Sequence, residues 1–247
     1  MDKKSEDTQI RRDEVVDILK KAYPDACIVL TCTSPWELLV AVILSAQCTD
    51  TMVNKVTARL FRKYKTLDDY VRVPLTEFEK DIQSTGFYHN KAKNILASAK
   101  IIRDTFDGIL PKTMEEMVTL PGVARKTANV VLGNAYGVVE GIAVDTHVLR
   151  LGQRLRLVDL DTIGGKKLVY FKRPGLSKSR PGLEQLIDYK KDADPVKIEN
   201  QLMKVIPKDD WFKLTYLLID HGRAVCKAQN PKCSVCVLRT ICPAFRI

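Results

Sequence analysis

The sequence predicts an all-α fold. Apolar residues recur at helical spacing along most of its 247 residues, whereas alternating strand patterns are scarce. The best strand candidate, Leu168-Val169-Tyr170-Phe171, is short. With 45% hydrophobic and 28% charged residues, the composition is that of an ordinary globular protein. The chain is long enough for one large domain or two modest ones.

The predicted helices begin at residue 13. The first covers 13–22 and ends before Tyr23-Pro24. Ser34 and Pro35 have the pattern of an N-cap followed by proline at the first helical position. The next segment, 36–46, is apolar on nearly all sides and should therefore lie at the centre of a core. The same periodicity predicts further helices at 52–64, 76–84, 90–105, 113–118, 125–136, 146–155, 195–205 and 210–222.

The composition changes over residues 159–193. Glycine and proline are frequent there, which predicts a loop or an insertion rather than a helix. Residues 161–191 contain eight Lys or Arg against three Asp or Glu, a net charge of +5. A basic loop of this kind could contact phosphates, but a solvated irregular excursion is the simpler interpretation.

Charge and cysteine content narrow the class of protein. The net charge of +10 favours an anionic partner, either nucleic acid or a membrane surface. The first residues lack the apolar segment of a signal peptide, and the longest apolar stretch, 38–44, is too short to cross a bilayer. Seven cysteines without a secretory signal indicate reduced thiols. We therefore expect a soluble protein of the cytoplasm.

The C-terminal region predicts a metal centre. Cys226, Cys233, Cys236 and Cys242 follow the spacing Cys-x6-Cys-x2-Cys-x5-Cys, and four thiolates this close can surround one centre. The spacing alone does not decide between zinc and an iron–sulfur cluster. The other cysteines, at positions 27, 32 and 48, lie in apolar surroundings and are expected to be small core residues.

A turn and a lysine point to chemistry on an anionic substrate. Pro121-Gly122 is a turn signal, and the helix after it extends to Gly137. Backbone N–H groups at such a helix start can cradle a phosphate. Lys126 lies at this start, where the helix N-terminus, Arg125 and partial desolvation would disfavour its charged form. A neutral amine can attack an electrophilic carbon.

Asp145 and His89 have simpler interpretations when they are taken alone. Asp145 precedes an amphipathic segment, 146–151, so it would ordinarily be an N-cap. His89 is expected in a polar loop, where it could be an ordinary surface residue.

The order and spacing of these motifs resemble the endonuclease III family, the helix-hairpin-helix DNA glycosylases that carry an iron–sulfur cluster. The resemblance covers nearly the whole chain. It implies a [4Fe-4S] cluster on the four cysteines and a six-helix barrel domain, 28–138, that ends in the hairpin. A cluster domain would then comprise 1–27 and 139–247, with an insertion at about 159–193. The motifs are 44–50, 85–88, 120–128, 144–147, 221–223 and the cysteine quartet.

The resemblance also implies a function in base excision repair. Lys126 would form a Schiff base at C1′ of a flipped nucleotide and break the strand by β-elimination, with Asp145 assisting proton transfer. The expected substrates are oxidised pyrimidines, such as thymine glycol, and abasic sites in double-stranded DNA. A nucleoid-associated monomer with no membrane partner is expected. The implied DNA contacts are Gln47, Phe87, His89, Gly122, Val123, Ala124, Lys227 and Lys232.

The sequence departs from the family pattern at the hairpin and at the wedge, the position whose side chain enters the gap that a flipped nucleotide leaves. The hairpin often reads Gly-Val-Gly, and Ala124 would be strained if its position required a positive φ. The wedge position is often leucine, and here it is Phe87. Two alternatives stay open. One is a mismatch glycosylase without a lyase step, although such relatives tend to lack the lysine. The other is a non-catalytic DNA-binding or electron-transfer iron–sulfur protein.

Overall fold

A computed structural model describes residues 3–171 and 186–245. This part of the chain is mostly helical, with a single small sheet, so the all-α prediction is confirmed. The helices are α1 (Lys3–Ala22), α2 (Pro35–Leu44), α3 (Asp50–Lys63), α4 (Leu67–Arg72), α5 (Leu75–Ile82), α6 (Tyr88–Thr105), α7 (Met114–Met117), α8 (Arg125–Tyr136), α9 (Thr146–Arg154), α10 (Pro195–Val205) and α11 (Trp211–Ala224). The strands are β1 (Leu168–Phe171) and β2 (Leu186–Lys190).

The chain divides into two compact units. One comprises Ile28–Glu140, and the other combines Met1–Cys27 with Gly141–Ile247. The first contains α2 to α8, and the second contains α1, the sheet and α9 to α11.

Helix α2 is the centre of the Ile28–Glu140 core. It begins as predicted, with the Ser34 hydroxyl accepting from the Glu37 backbone N–H and Pro35 in the first turn. Every residue from 38 to 44 is buried, and α3, α6 and α8 pack around it. A helix with no solvated side has its apolar residues on all faces, which is the pattern that the sequence carries.

Helix α4 is absent from the sequence prediction. Thr66 and Asp69 form a capping box at its start, in which each side chain accepts from the other residue's backbone N–H. Tyr70 is its buried residue, and its ring lies 5.1 Å from Trp36 and 5.8 Å from Phe78, centroid to centroid. Leu67 and Val71 also pack against the core, but a helix of six residues is too short for a repeated apolar pattern, and the capping box is its clearer signal.

The other unit is built on α9 and α11. Helix α11 packs against α1 and α9, and α10 also packs against α9. Helix α1 begins at Lys3, well before the predicted residue 13. Among the described residues, no helix is long and apolar enough to cross a membrane.

The basic stretch 159–193 contains a pair of antiparallel strands. Leu168–Phe171 is a strand as predicted, and it pairs antiparallel with Leu186–Lys190, which was not predicted. The register shifts between Val169 and Tyr170. Residues 168–171 and 186–190 form regular strands, so the interpretation of 159–193 as solvated irregular structure is wrong for them. The Lys-, Arg- and Pro-containing segment 172–185 lies outside the described residues.

Candidate active site

The turn before α8 requires glycine at position 122. The Val123 N–H donates to the Leu120 carbonyl across 3.1 Å, and both of these side chains are buried. Gly122 has φ +78°, and a Cβ there would lie 2.6 Å from Asn94 Nδ2 on α6. The turn thus holds its shape through backbone freedom and through close approach to α6.

We expect Gly122→Ala to destabilise the protein by about 2–5 kcal/mol, since a left-handed alanine and overpacking both cost free energy. Gly137 is the matched control, because it has φ +66° but no atom within 4 Å of the place that a Cβ would occupy. Gly137→Ala should cost only about 1–2 kcal/mol. Urea unfolding measures both values, and equal losses would show that Asn94 does not constrain the turn.

Ala124 is not strained. It is the N-cap of α8 with φ −88° and ψ 167°, an extended conformation that any residue adopts. The condition under which Ala124 would be strained, a positive φ, is therefore not met. Its side chain cannot accept a hydrogen bond, so α8 begins without a side-chain cap.

Lys126 is the second residue of α8, and it is exposed. The protein alone therefore does not bury the amine, in contrast to the partial desolvation that the sequence predicts. Lys126 lies in the first turn of α8, directly after the hairpin turn.

Asp145 is the N-cap of α9 in the other unit. One of its carboxylate oxygens accepts from the His147 and Val148 backbone N–H groups, each at 2.8 Å. The simpler interpretation of Asp145 as a cap is confirmed, and its side chain remains half-buried. A capping carboxylate keeps further lone pairs, so capping does not exclude a second role.

Two exposed loops of the Ile28–Glu140 unit have unusual backbones. Gln47 follows α2 with φ +54°, and Phe87 precedes α6 with φ +49°. Non-glycine residues in this region cost about 1–3 kcal/mol and are concentrated at functional sites. Phe87 is 65% exposed, so it does not pack in the core.

Lys91 connects these two loops, a role that no pattern in the sequence predicts. It is a buried lysine on α6, and its Nζ donates to the Leu44 carbonyl at 2.8 Å and to the Thr85 carbonyl at 2.9 Å. Leu44 ends α2, and Thr85 precedes Gly86-Phe87. Burial lowers the pKa of Lys91. Helix α6 also supports the hairpin, because the Ser98 hydroxyl donates to the Pro121 carbonyl.

Replacing Lys91 with Met should destabilise the protein by about 1–3 kcal/mol, because two carbonyls lose a buried charged donor. Lys93→Met is the control, since Lys93 is an exposed lysine on the same helix. Urea unfolding of both variants tests the effect. A Lys91→Met protein as stable as the Lys93→Met protein would contradict a tethering role.

His89 lies on α6 and not in a polar loop. Its Nδ1 is 2.9 Å from Glu79 Oε1, and its ring lies 4.1 Å from the Tyr88 ring, centroid to centroid. Its side chain is exposed, as a surface residue's would be. Helix α6 begins two residues before the predicted position 90, which accounts for the difference.

The four C-terminal cysteines line one pocket. Arg154 and His221 contribute polar groups to its wall, and Leu155 and Phe245 contribute apolar ones. Burial raises the pKa of the Cys242 thiol to about 11, and it lowers the pKa of His221 to about 4, so that this imidazole is neutral. The neutral ring lies 3.5 Å from Cys236 Sγ through Nε2.

The donor set of this pocket fits an iron–sulfur cluster. Four cysteine sulfurs line it, and cysteine thiolates are the ligands of [2Fe–2S] and [4Fe–4S] centres. Zinc accepts the same four ligands, so the donor set alone does not distinguish the two.

The remaining candidates lie at the surface. Lys227 and Lys232 are exposed in the cysteine loops, and their DNA contacts stay predictions. Cys27 is exposed, so the expectation of a core residue is wrong there, whereas Cys32 and Cys48 are half-buried and pack against the core of the Ile28–Glu140 unit.

Comparison with known proteins identifies the family. The model for HhH-GPD superfamily base excision DNA repair proteins matches residues 40–168, and that for the iron–sulfur binding domain of endonuclease III matches residues 226–242. Endonuclease III of Synechocystis sp. is 46% identical over 95% of this chain and 92% of its own length. That of Bacillus subtilis is 41% identical over 92% and 89%.

Solved structures agree with these relatives. A trapped endonuclease III–DNA covalent intermediate is 40% identical, covers 96% of both chains and has a TM-score of 0.80. A thermostable thymine-DNA glycosylase, at 20% identity and a TM-score of 0.74, shares the fold. The chain therefore belongs to the endonuclease III family of base excision DNA repair proteins, and its cofactor is a [4Fe-4S] cluster.

Proposed function

We propose that Lys126 is the Schiff-base nucleophile of this base excision repair glycosylase and abasic-site lyase. The observation that carries the proposal is its position, on the first turn of α8 directly after the glycine-dependent hairpin turn. A related endonuclease III has been trapped as a covalent intermediate with DNA, which supports a covalent route in this family. The chain's net charge of +10 suits a polyanionic partner.

The chemistry follows from an amine and a carboxylate. The neutral Lys126 nitrogen forms a bond to C1′ while the C1′–base bond breaks, and the base leaves with a proton. The sugar ring opens to give an iminium ion, which acidifies the C2′ hydrogen. Loss of that hydrogen expels the 3′ phosphate, and water then hydrolyses the imine and frees the lysine. Asp145 assists the proton transfers and stabilises positive charge on the sugar.

DNA completes the environment that the amine needs. Lys126 is exposed in the protein alone, so bound DNA must exclude water from it. Gln47 and Phe87 enter the gap that the flipped nucleotide leaves, and Phe87 stacks within the duplex. The hairpin residues Gly122, Val123 and Ala124 approach a phosphate through the backbone, although the Val123 N–H already donates within the turn.

The two units have separate roles in this proposal. Ile28–Glu140 is the barrel domain that carries the hairpin, and the remaining unit holds the cluster. The thiolates of Cys226, Cys233, Cys236 and Cys242 ligate it, and the bound cluster stabilises the fold of the C-terminal loops. Exposed Lys227 and Lys232 lie in those loops and contact phosphates. We further propose a monomer that associates with the nucleoid.

The substrates are oxidised pyrimidines, and a duplex panel tests this. We expect release of thymine glycol from a damaged duplex and strand cleavage at an abasic site. A duplex with a G·T mismatch and an undamaged duplex should release no base. Base release from the mismatch without strand cleavage would instead support a mismatch glycosylase.

A further inference from the structure

A buried ion pair connects the inserted hairpin to the cysteine pocket. Asp188 on β2 and Arg154 at the end of α9 have side chains only 1% and 2% exposed. The contact is bidentate: Arg154 Nε donates to Oδ1 at 2.9 Å, and Nη2 donates to Oδ2 at 2.7 Å. A pair with this geometry orients the guanidinium as well as neutralising it.

The other donors of Arg154 reach the first cysteine and the loop after it. Nη1 lies 3.4 Å from Cys226 Sγ and 2.6 Å from the Lys227 carbonyl. Nη2 also donates to the Ala228 carbonyl at 2.9 Å. One guanidinium therefore contacts the hairpin carboxylate, a candidate cluster thiolate and two carbonyls of the cluster loop.

The hairpin is fixed to the end of α9 by further contacts. The Gln153 amide group donates to the Lys190 carbonyl at 3.1 Å and accepts from the Lys190 N–H at 2.7 Å. Arg156 donates to the Ile187 carbonyl at 2.7 Å. Asp188 is thus held in a defined position, and its carboxylate forms the ion pair with Arg154.

We propose that Asp188 is a positioning residue for the iron–sulfur cluster. It holds Arg154 so that Nη1 donates to the Cys226 sulfur, and it balances the guanidinium charge within the protein interior. Hydrogen bonds to ligand sulfurs set the potential and retention of such clusters. Strand β2 of the hairpin therefore contributes to the cofactor site through Asp188. The proposal rests on Cys226 as a cluster ligand.

The test compares Asp188→Asn with Asp192→Asn in the purified holoprotein. Asp192 pins the same hairpin, but it does so by accepting from the Lys166 and Lys167 backbone N–H groups, at 3.0 and 2.7 Å. We expect Asp188→Asn to release iron to a chelator about 10-fold faster than wild type. Its Fe–S(Cys) stretching bands in resonance Raman spectra and its midpoint potential should also shift. Asp192→Asn should leave the spectrum and potential unchanged.

Three results would overturn the proposal. These are an unchanged Asp188→Asn spectrum with wild-type iron release, equal effects in Asp192→Asn, and a failure of Asp188→Glu to restore the wild-type spectrum. If Asp188→Asn does not fold, Asp188→Glu still tests the proposal. This variant keeps the negative charge, so its Raman bands must match those of the wild type. Wild-type protein without iron would refute the cluster assignment, a separate result that iron analysis detects before any variant is compared.

Discussion

Lys126→Ala is expected to abolish the covalent protein–DNA adduct that borohydride traps on an abasic duplex. Alanine removes the nitrogen that would bond to C1′, so strand cleavage should fall by at least about 10³-fold, as for other enzymes that lose their nucleophile. The exposed side chain is not part of a core, so the variant should fold and should bind the duplex with an affinity close to that of wild type. Denaturing electrophoresis after borohydride reduction measures the adduct, and a binding titration measures the affinity.

Lys112→Ala is the matched control for this experiment. Lys112 is also exposed and belongs to the same unit, where its Nζ lies 5.4 Å from the Tyr136 ring centroid. This variant should trap DNA as wild type does. A Lys126→Ala protein that still forms adduct at the control's rate would refute the assignment of the nucleophile.

Asp145→Asn should separate the capping role of this residue from its chemical role. Asparagine caps helices about as well as aspartate, so the two hydrogen bonds at the start of α9 should persist and stability should change by less than about 1 kcal/mol. The negative charge is lost, and the trapping rate should fall by about 10²–10⁴-fold. Single-turnover trapping and urea unfolding provide the two measurements.

Asp194 offers a close control, because it caps α10 in the same way. One of its carboxylate oxygens accepts from the Val196 and Lys197 backbone N–H groups at 2.9 and 3.4 Å. Asp194→Asn should lose no activity. If Asp145→Asn keeps the wild-type trapping rate, or loses activity only in proportion to its stability, Asp145 is a cap and nothing more.

Local patterns predicted most of the helices because their causes are local. Ser34-Pro35 begins α2, and Gly137 ends α8 with φ +66°, both as the sequence indicates. Helix α4 was missed because its six residues are too few to show a repeated apolar pattern. The backbone at Ala124 could not be read from sequence either, since a family pattern with glycine does not say whether its φ must be positive.

Contacts between residues far apart in the chain could not be predicted from the sequence. Lys91 reaches Leu44, 47 positions away, and Arg154 reaches Asp188, 34 positions away. A lysine among many in a basic chain gives no sign that it is buried, and a carboxylate in a Gly- and Pro-rich stretch gives no sign that it pairs with an arginine. Lys126 was singled out by the turn and helix start around it, whereas Asp145 was selected by the family resemblance, since a helix cap alone is ordinary.

The most direct measurement is peptide mapping of the borohydride-reduced adduct by mass spectrometry. Wild-type protein is trapped on an abasic duplex, digested with protease and nuclease, and sequenced by fragmentation. We predict that the residual sugar is attached to the Nζ of Lys126, in the peptide that contains the start of α8. Attachment to any other residue, or a stable adduct that excludes this peptide, would contradict the account.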